Sequence, residues 1–157
     1  MINEPQLDFL ALEIQKAAKV SKVGANLSLK SLAKQNLVSL QKRGKVYLYS
    51  VNFADPEIKE LKKINNIKKL KPFVKKISKY NLKTVLFGSA ARGENFKDSD
   101  FDLFILTRKS KKIRQALSKQ NKIQAIIKTP IELIRFEKEN PVLVKEINSS
   151  IVLWQQH

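Results

Sequence analysis

One short stretch narrows the possible folds of this chain more than any other. The apolar run Val85-Leu86-Phe87 stops at Gly88-Ser89-Ala90-Ala91-Arg92-Gly93, and a second apolar run, from Phe101 to Leu106, starts among Asp98, Asp100 and Asp102. Short apolar runs bounded by turn residues read as buried strands. The expected order is a strand over residues 84–87, a short helical turn over 88–93, a polar loop, and a strand over 101–106. Side chains alternate across a strand, so Asp100 and Asp102 are expected on one face and Phe101, Leu103 and Ile105 on the other.

That pattern carries a chemistry. Two neighbouring carboxylates repel each other at neutral pH, and a divalent cation relieves the repulsion. Asp-x-Asp at the head of a strand can hold magnesium while leaving room for water and phosphate oxygens. Gly88 lets the backbone approach a phosphate, and Ser89, opening a helical turn, offers it a hydroxyl and an amide. The two halves together could orient a nucleoside triphosphate so that a hydroxyl attacks the α-phosphate and pyrophosphate leaves. Composition limits the metal. The chain has no cysteine, and its one histidine, His157, is the last residue, so disulfides, thiolate sites and an interior histidine base are excluded. Oxygen ligands remain, which favour magnesium or manganese.

A length of 157 residues suits a small module ahead of a domain of about 100 residues. No run approaches the roughly 18 apolar residues of a membrane helix. The first residues lack the basic start and apolar centre of a signal peptide, so a cytoplasmic location and no membrane partner are expected. The net charge of +17 is uneven: residues 58–80 carry nine Lys against one Glu. Excess positive charge of this size attracts polyanions, nucleic acid above all.

Upstream, Leu10, Ile14 and Ala17 recur at helical spacing. Ser21 is a plausible cap for a second helix carrying Ala25, Leu29 and Leu32, and Asn36 is suited to end it. Residues 37–40 and 45–51 read as strands around a turn at Gln41-Lys42-Arg43-Gly44. Helix, turn, helix and basic-tipped hairpin over residues 7–52 resemble the winged helix-turn-helix modules of archaeal transcriptional regulators, with the usual first helix missing. The resemblance implies DNA contact through Lys22, Val23, Asn26 and Lys30 on the second helix and Lys42, Arg43 and Lys45 on the wing. The incomplete module favours a homodimer in which a second chain covers exposed core. A helical hairpin plus β-hairpin that serves only for packing is the alternative.

Asp55-Pro56-Glu57 marks a helix start, with Ile58, Leu61, Ile64 and Ile67 as its apolar stripe. Pro72 is expected to open a further helix carrying Phe73, Val74, Ile77 and Tyr80. Downstream, a basic helix is expected from Arg108 to about Lys119, a strand over 123–127, a capping box at Thr129-Pro130-Ile131-Glu132, a helix after Asn140-Pro141, and a last strand over 151–154. The boundaries this suggests are a module over 1–54, a connecting helix over 55–71 and a domain over 72–157.

The segment Lys83-Thr84-Val85-Leu86-Phe87-Gly88-Ser89-Ala90-Ala91-Arg92-Gly93, with Ser99-Asp100-Phe101-Asp102-Leu103, resembles the minimal nucleotidyltransferases of the polymerase-beta superfamily. The resemblance covers about residues 72–154. It implies an α+β fold, a small mixed sheet flanked by helices. It also implies that Gly88 and Ser89 meet the triphosphate, with Asp100 and Asp102 on magnesium or manganese. Members that turn over usually have a third carboxylate on a later strand. The strand expected to carry it holds Gln124, whose amide cannot take a proton. Glu132, the nearest acid in sequence, belongs to the capping box. Arg92 has two readings, contact with the triphosphate or pairing with Glu94 or Asp98.

The function expected first is metal-dependent transfer of a nucleoside monophosphate, AMP for instance, from a nucleoside triphosphate to a protein, an RNA end or a small hydroxyl compound. The alternatives are a DNA-binding regulator whose nucleotide site no longer catalyses, and an antitoxin that modifies or masks a small helical toxin docked on residues 58–77.

Overall fold

The computed structural model describes residues 1–4 and 7–156, so His157 lies outside the described residues. Two compact units emerge, Met1–Lys62 and Lys63–His157.

The first unit runs β1 (Phe9–Leu10), α1 (Ala11–Ala18), α2 (Lys22–Lys34), β2 (Val38–Arg43) and β3 (Val46–Val51). Its three strands lie in the order β1-β3-β2 and pair antiparallel. Glu13 reaches back to accept the backbone N–H of Leu10 at 2.7 Å, which fixes the start of α1. Ser21 accepts from Gly24 N–H at 3.0 Å, the expected cap of α2. Asn36 takes the left-handed conformation (φ 58°) that ends it. Ala25, Leu29, Val38 and Tyr49 are buried, and Ile14 and Leu32 pack on them partly covered.

Two details differ from expectation. Leu10 belongs to β1, which at two residues is too short to show a period. The hairpin turn is Gly44-Lys45, not residues 41–44, because Arg43 still pairs with Val46. Gly44 supplies the positive φ of 62° such a two-residue turn needs. Lys42 and Arg43 therefore stand on the strand, with Lys42 Nζ 6.0 Å from the Tyr47 ring centre.

Helix α3 (Pro56–Ile77) begins in the first unit and ends in the second. Asp55 accepts from Glu57 N–H at 2.8 Å at its start. Pro72 does not open a new helix; α3 passes through it. Proline deletes the bond its N–H would give to the carbonyl four residues back, here Lys68. Lys68 and Pro72 both lie on an exposed stretch of the helix, where that carbonyl can be satisfied by solvent. The buried line also differs from the expected stripe. It runs Ile58, Lys62, Asn66, Leu70, Phe73, Val74, Ile77, while Leu61 and Ile64 remain 46% and 49% exposed. Two polar residues hold the interior places: the Lys62 ammonium sits over the Phe53 ring at 4.8 Å, and Asn66 is hydrogen-bonded as described below.

In the second unit, β4 (Asn81–Phe87), α4 (Gly88–Arg92), β5 (Phe101–Thr107), α5 (Ser110–Leu117), β6 (Ile123–Lys128), α6 (Pro130–Glu139), α7 (Pro141–Asn148) and β7 (Ile151–Gln155) follow in turn. The sheet order is β6-β5-β4-β7. Strands β5 and β6 are parallel, and the other pairs antiparallel, so the sheet is mixed. On one face Leu86, Leu103 and Ile105 pack against Leu70, Phe73, Val74 and Ile77 of α3 and Ile113 of α5. On the other, Val85, Phe87 and Phe104 meet Phe136 of α6 and Ile147 of α7, with the Phe104 and Phe136 rings stacked at 6.0 Å. Central strands covered on both faces read as unbroken apolar runs, which is why β4 and β5 were visible in sequence. Truncating Leu86 or Leu103, both fully buried, would cost about 2–5 kcal/mol. The capping box forms as expected: Glu132 accepts from Thr129 N–H at 2.7 Å, and Thr129 Oγ1 accepts from Glu132 N–H at 3.3 Å. Among the described residues no helix is long and apolar enough to cross a membrane.

Candidate active site

The end of β4 and the start of β5 lie side by side, with Phe87 opposite Asp102. Gly88, which opens α4, has φ 70°. A Cβ built on it would lie 2.5 Å from Asp102 Oδ2. Two demands therefore converge on this glycine: a left-handed backbone, and a flank bare enough to seat a carboxylate. Gly93 (φ 71°) closes α4 at its other end. The turn is braced from α3, where Asn66 Nδ2 donates to Ala90 O at 2.9 Å and to Asn95 Oδ1 at 2.8 Å. Asn66 and Asn95 are both buried. Sequence reading missed Asn66, whose only signal is an amide sitting at the four-residue spacing of the buried line. Losing it would leave buried partners unsatisfied, at about 1–3 kcal/mol.

Asp100 lies one residue ahead of β5, not in it, so strand alternation does not by itself fix its direction. A hydrogen bond does. Gln124 on β6, the register partner of Asp102, donates from Nε2 to Asp100 Oδ2 at 2.8 Å. The residue at the expected third-carboxylate position thus acts as a donor that orients one of the two acids. Glu132 stays with its cap, where the hydrogen bonds from Thr129 lower its pKa.

Arg92 pairs with Glu94 at 3.0 Å, as one of its two readings allowed, and with Glu146 of α7 at 2.8 Å. Asp98 instead meets Lys122 at 3.4 Å. Glu146 was invisible in the sequence: it lies 54 residues from Arg92, and nothing in the spacing links them. The Asp102 carboxyl is raised above the ordinary carboxylate range, first by burial, then by the charges of Asp100 and Glu146, with Arg92 opposing. This is the side of the site where negative charge is most crowded and a cation would relieve most.

The donor set suits a hard cation. Asp100 and Asp102 offer carboxylate oxygens, and magnesium or manganese commonly takes one or two carboxylates and completes its shell with water and phosphate oxygens. Among the described residues no group of three or more His, Cys, Asp or Glu could hold a metal ion. Ser89 is half-buried beside Gly88, and its carbonyl accepts from Glu94 N–H at 2.8 Å.

The residues expected to contact DNA all belong to the first unit. Lys22, Val23 and Lys30 are exposed on α2 and Asn26 is partly covered, while Lys42 and Arg43 lie on β2 and Lys45 in the turn. Arg43 pairs with Asp8 at 3.4 Å.

Residues 62–157 match the family described as polymerase beta, nucleotidyltransferase. A crystal structure of a candidate nucleotidyltransferase from Sulfolobus solfataricus is similar at 18% identity and a TM-score of 0.43, over 62% of this chain and 87% of that one. The chain matches no curated protein. The family match spans more than half the chain and contains the whole Gly88–Asp102 constellation. The chain belongs to the polymerase-beta nucleotidyltransferases.

Proposed function

We propose that the second unit is a divalent-metal-dependent nucleotidyltransferase that moves a nucleoside monophosphate from a nucleoside triphosphate to a hydroxyl acceptor. The observation that carries this reading is the seating of Asp102 against the bare flank of Gly88, with Asp100 oriented beside it by Gln124. Polymerase-beta-like nucleotidyltransferases generally use divalent metals, and here Asp100 and Asp102 would hold one. When bound, the metal supplies charge neutralisation at the α-phosphate and the leaving pyrophosphate. Gly88 admits the triphosphate to the backbone of α4, and Ser89 offers it a hydroxyl. Arg92, held between Glu94 and Glu146, is within reach of exchanging a carboxylate for a phosphate oxygen. Gln124, at the place expected for a third carboxylate, cannot take the acceptor's proton, and Glu146 is engaged by Arg92, so that proton passes to solvent or to the acceptor's own surroundings, and slow turnover is expected.

Incubation with magnesium and α-labelled ATP, together with RNA or protein acceptors, tests this. Labelled acceptor and pyrophosphate should appear, and Asp100→Asn/Asp102→Asn should lower the rate at least about 10³-fold. Full transfer by that double variant would refute the reading.

A second reading, that the site binds nucleotide without turnover, is favoured by one observation: the Gln124 amide occupies the expected third-acid position and engages Asp100. For the first unit, contact with DNA is supported by the exposed Lys22, Val23 and Lys30 on α2 and by a basic hairpin anchored to β1. Substituting Lys22 and Lys30 would then weaken duplex binding with a shallower salt dependence.

A further inference from the structure

The two faces of the four-stranded sheet differ sharply in charge. On one lie the last part of α3 with the turn after it, residues 63–80, and α5 with its flanks, residues 107–119. These segments carry seven and six Lys or Arg respectively and not one Asp or Glu. On the other face, residues 129–148 of α6 and α7 carry four acids and three bases. Solubility alone does not sort charges in this way, since a mixed surface serves it equally well.

The cations also converge on a shaped place. Lys76 from α3, Lys112, Gln115 and Ala116 from α5 and Lys119 from the turn after it line a cleft of about 240 Å³ with Tyr80. Lys112, Lys119 and Lys76 are exposed there. Residues 112, 115 and 116 share one face of α5 by their three- and four-residue steps, and Lys119 follows in the turn. Tyr80 draws in two more cations, with Lys79 Nζ 5.1 Å and Lys109 Nζ 5.9 Å from its ring centre. The cleft has a direction. Three residues after Lys119, the Lys122 carbonyl accepts from Phe101 N–H at 2.9 Å, between Asp100 and Asp102 in the chain. The Lys119 end of the basic face is therefore the end nearer the two carboxylates.

We infer that the α3–α5 face binds the phosphate backbone of single-stranded nucleic acid. A polyanion gains by releasing counterions wherever it meets a row of cations with no acid among them. A cleft of this volume with Tyr80 in its lining offers a single strand cations for its phosphates and a ring for a base to stack on, a combination that paired bases in a duplex do not present themselves to. This binding is independent of nucleotide transfer, and its test contains neither metal nor nucleotide.

The experiment is fluorescence anisotropy of a labelled 20-nucleotide single-stranded RNA, its DNA counterpart and the matching duplex with the full chain, across a salt series. Lys76→Gln/Lys112→Gln/Lys119→Gln should weaken single-strand binding roughly 100-fold at 0.1 M salt and lower the salt slope by about 2, at about 0.7 per phosphate contact. Arg135→Gln/Lys138→Gln/Lys145→Gln, which removes as many charges from the opposite face, should change affinity less than about 3-fold. Equal losses from the two triple variants would overturn the inference as an effect of net charge. So would wild-type binding by the α3–α5 variant with binding lost on substituting Lys22, Lys30, Lys42, Arg43 and Lys45, or binding to anionic vesicles but to no nucleic acid.

Discussion

Asp102 and Asp100 are two residues apart and are held by opposite means. Asp102 is seated by an absence, the missing side chain of Gly88, and its partial burial beside Asp100 and Glu146 raises its pKa. Asp100 is seated by a donor, the amide of Gln124 across the parallel pairing of β5 and β6. The first side stores electrostatic tension that a cation would release. The second relieves its charge internally through a neutral group, where a third carboxylate would have added to that tension.

The sharpest way to break this contrast is Gly88→Ala. The added Cβ meets Asp102 Oδ2 in a left-handed backbone, and the variant should lose about 1–3 kcal/mol of stability and at least about 10²-fold in transfer. Thermal unfolding and pyrophosphate release check the two parts. The converse substitution, Gln124→Asp, makes the second side resemble the first. It should lower stability without metal, raise the stabilisation given by magnesium, and speed transfer about 10-fold or more by supplying a proton acceptor. A Gln124→Asp variant slower than wild type under saturating metal would show that the amide is a working part of the site.

Arg92→Ala probes the charges around Asp102. Arg92 and its two partners are substantially exposed, so stability should change by no more than about 1 kcal/mol. The KM for triphosphate should rise about 10-fold if the guanidinium is shared with phosphate. The smallest effect is in pH dependence. A carboxyl whose pKa is raised on folding keeps its proton in the native chain at pH values where the unfolded chain has released it. Stability therefore falls as pH climbs from about 3.9 through the raised value, and is level above it. Asp102→Asn should accordingly be more stable than wild type at neutral pH, with the advantage vanishing as pH falls toward the unfolded value. A variant less stable at pH 7 would contradict the crowding described for Asp102.

Much of this site was legible because its signals are local. Val85 to Gly93 and Asp98 to Leu106 sit within one strand–turn–strand passage, and both strands are covered on two faces, so their apolar runs are unbroken. The Thr129–Glu132 cap was legible for the same reason. What could not be read depends on packing between distant segments. Glu146 reaches Arg92 only because α7 covers the end of β4, and Asn66 supports α4 from a helix that looked like a lysine-rich connector. The stripe on α3 was misread because apolar residues 58, 61, 64 and 67 gave a cleaner period than the true line, which passes through Lys62 and Asn66. Pro72 reads as a boundary in sequence because its cost depends on whether the orphaned carbonyl faces solvent, which composition does not disclose.

The most direct test of the central claim, that Asp102 beside Gly88 is the seat of a metal–triphosphate complex, is the thermal midpoint with magnesium and a non-cleavable α,β-methylene triphosphate. At about 100 times the dissociation constant, wild type should gain about 2.7 kcal/mol, a rise of roughly 11–22 °C for a unit of this size. Asp102→Asn, stable in its own right, should show no shift. An equal rise in both proteins, or none in wild type at millimolar ligand, would contradict it.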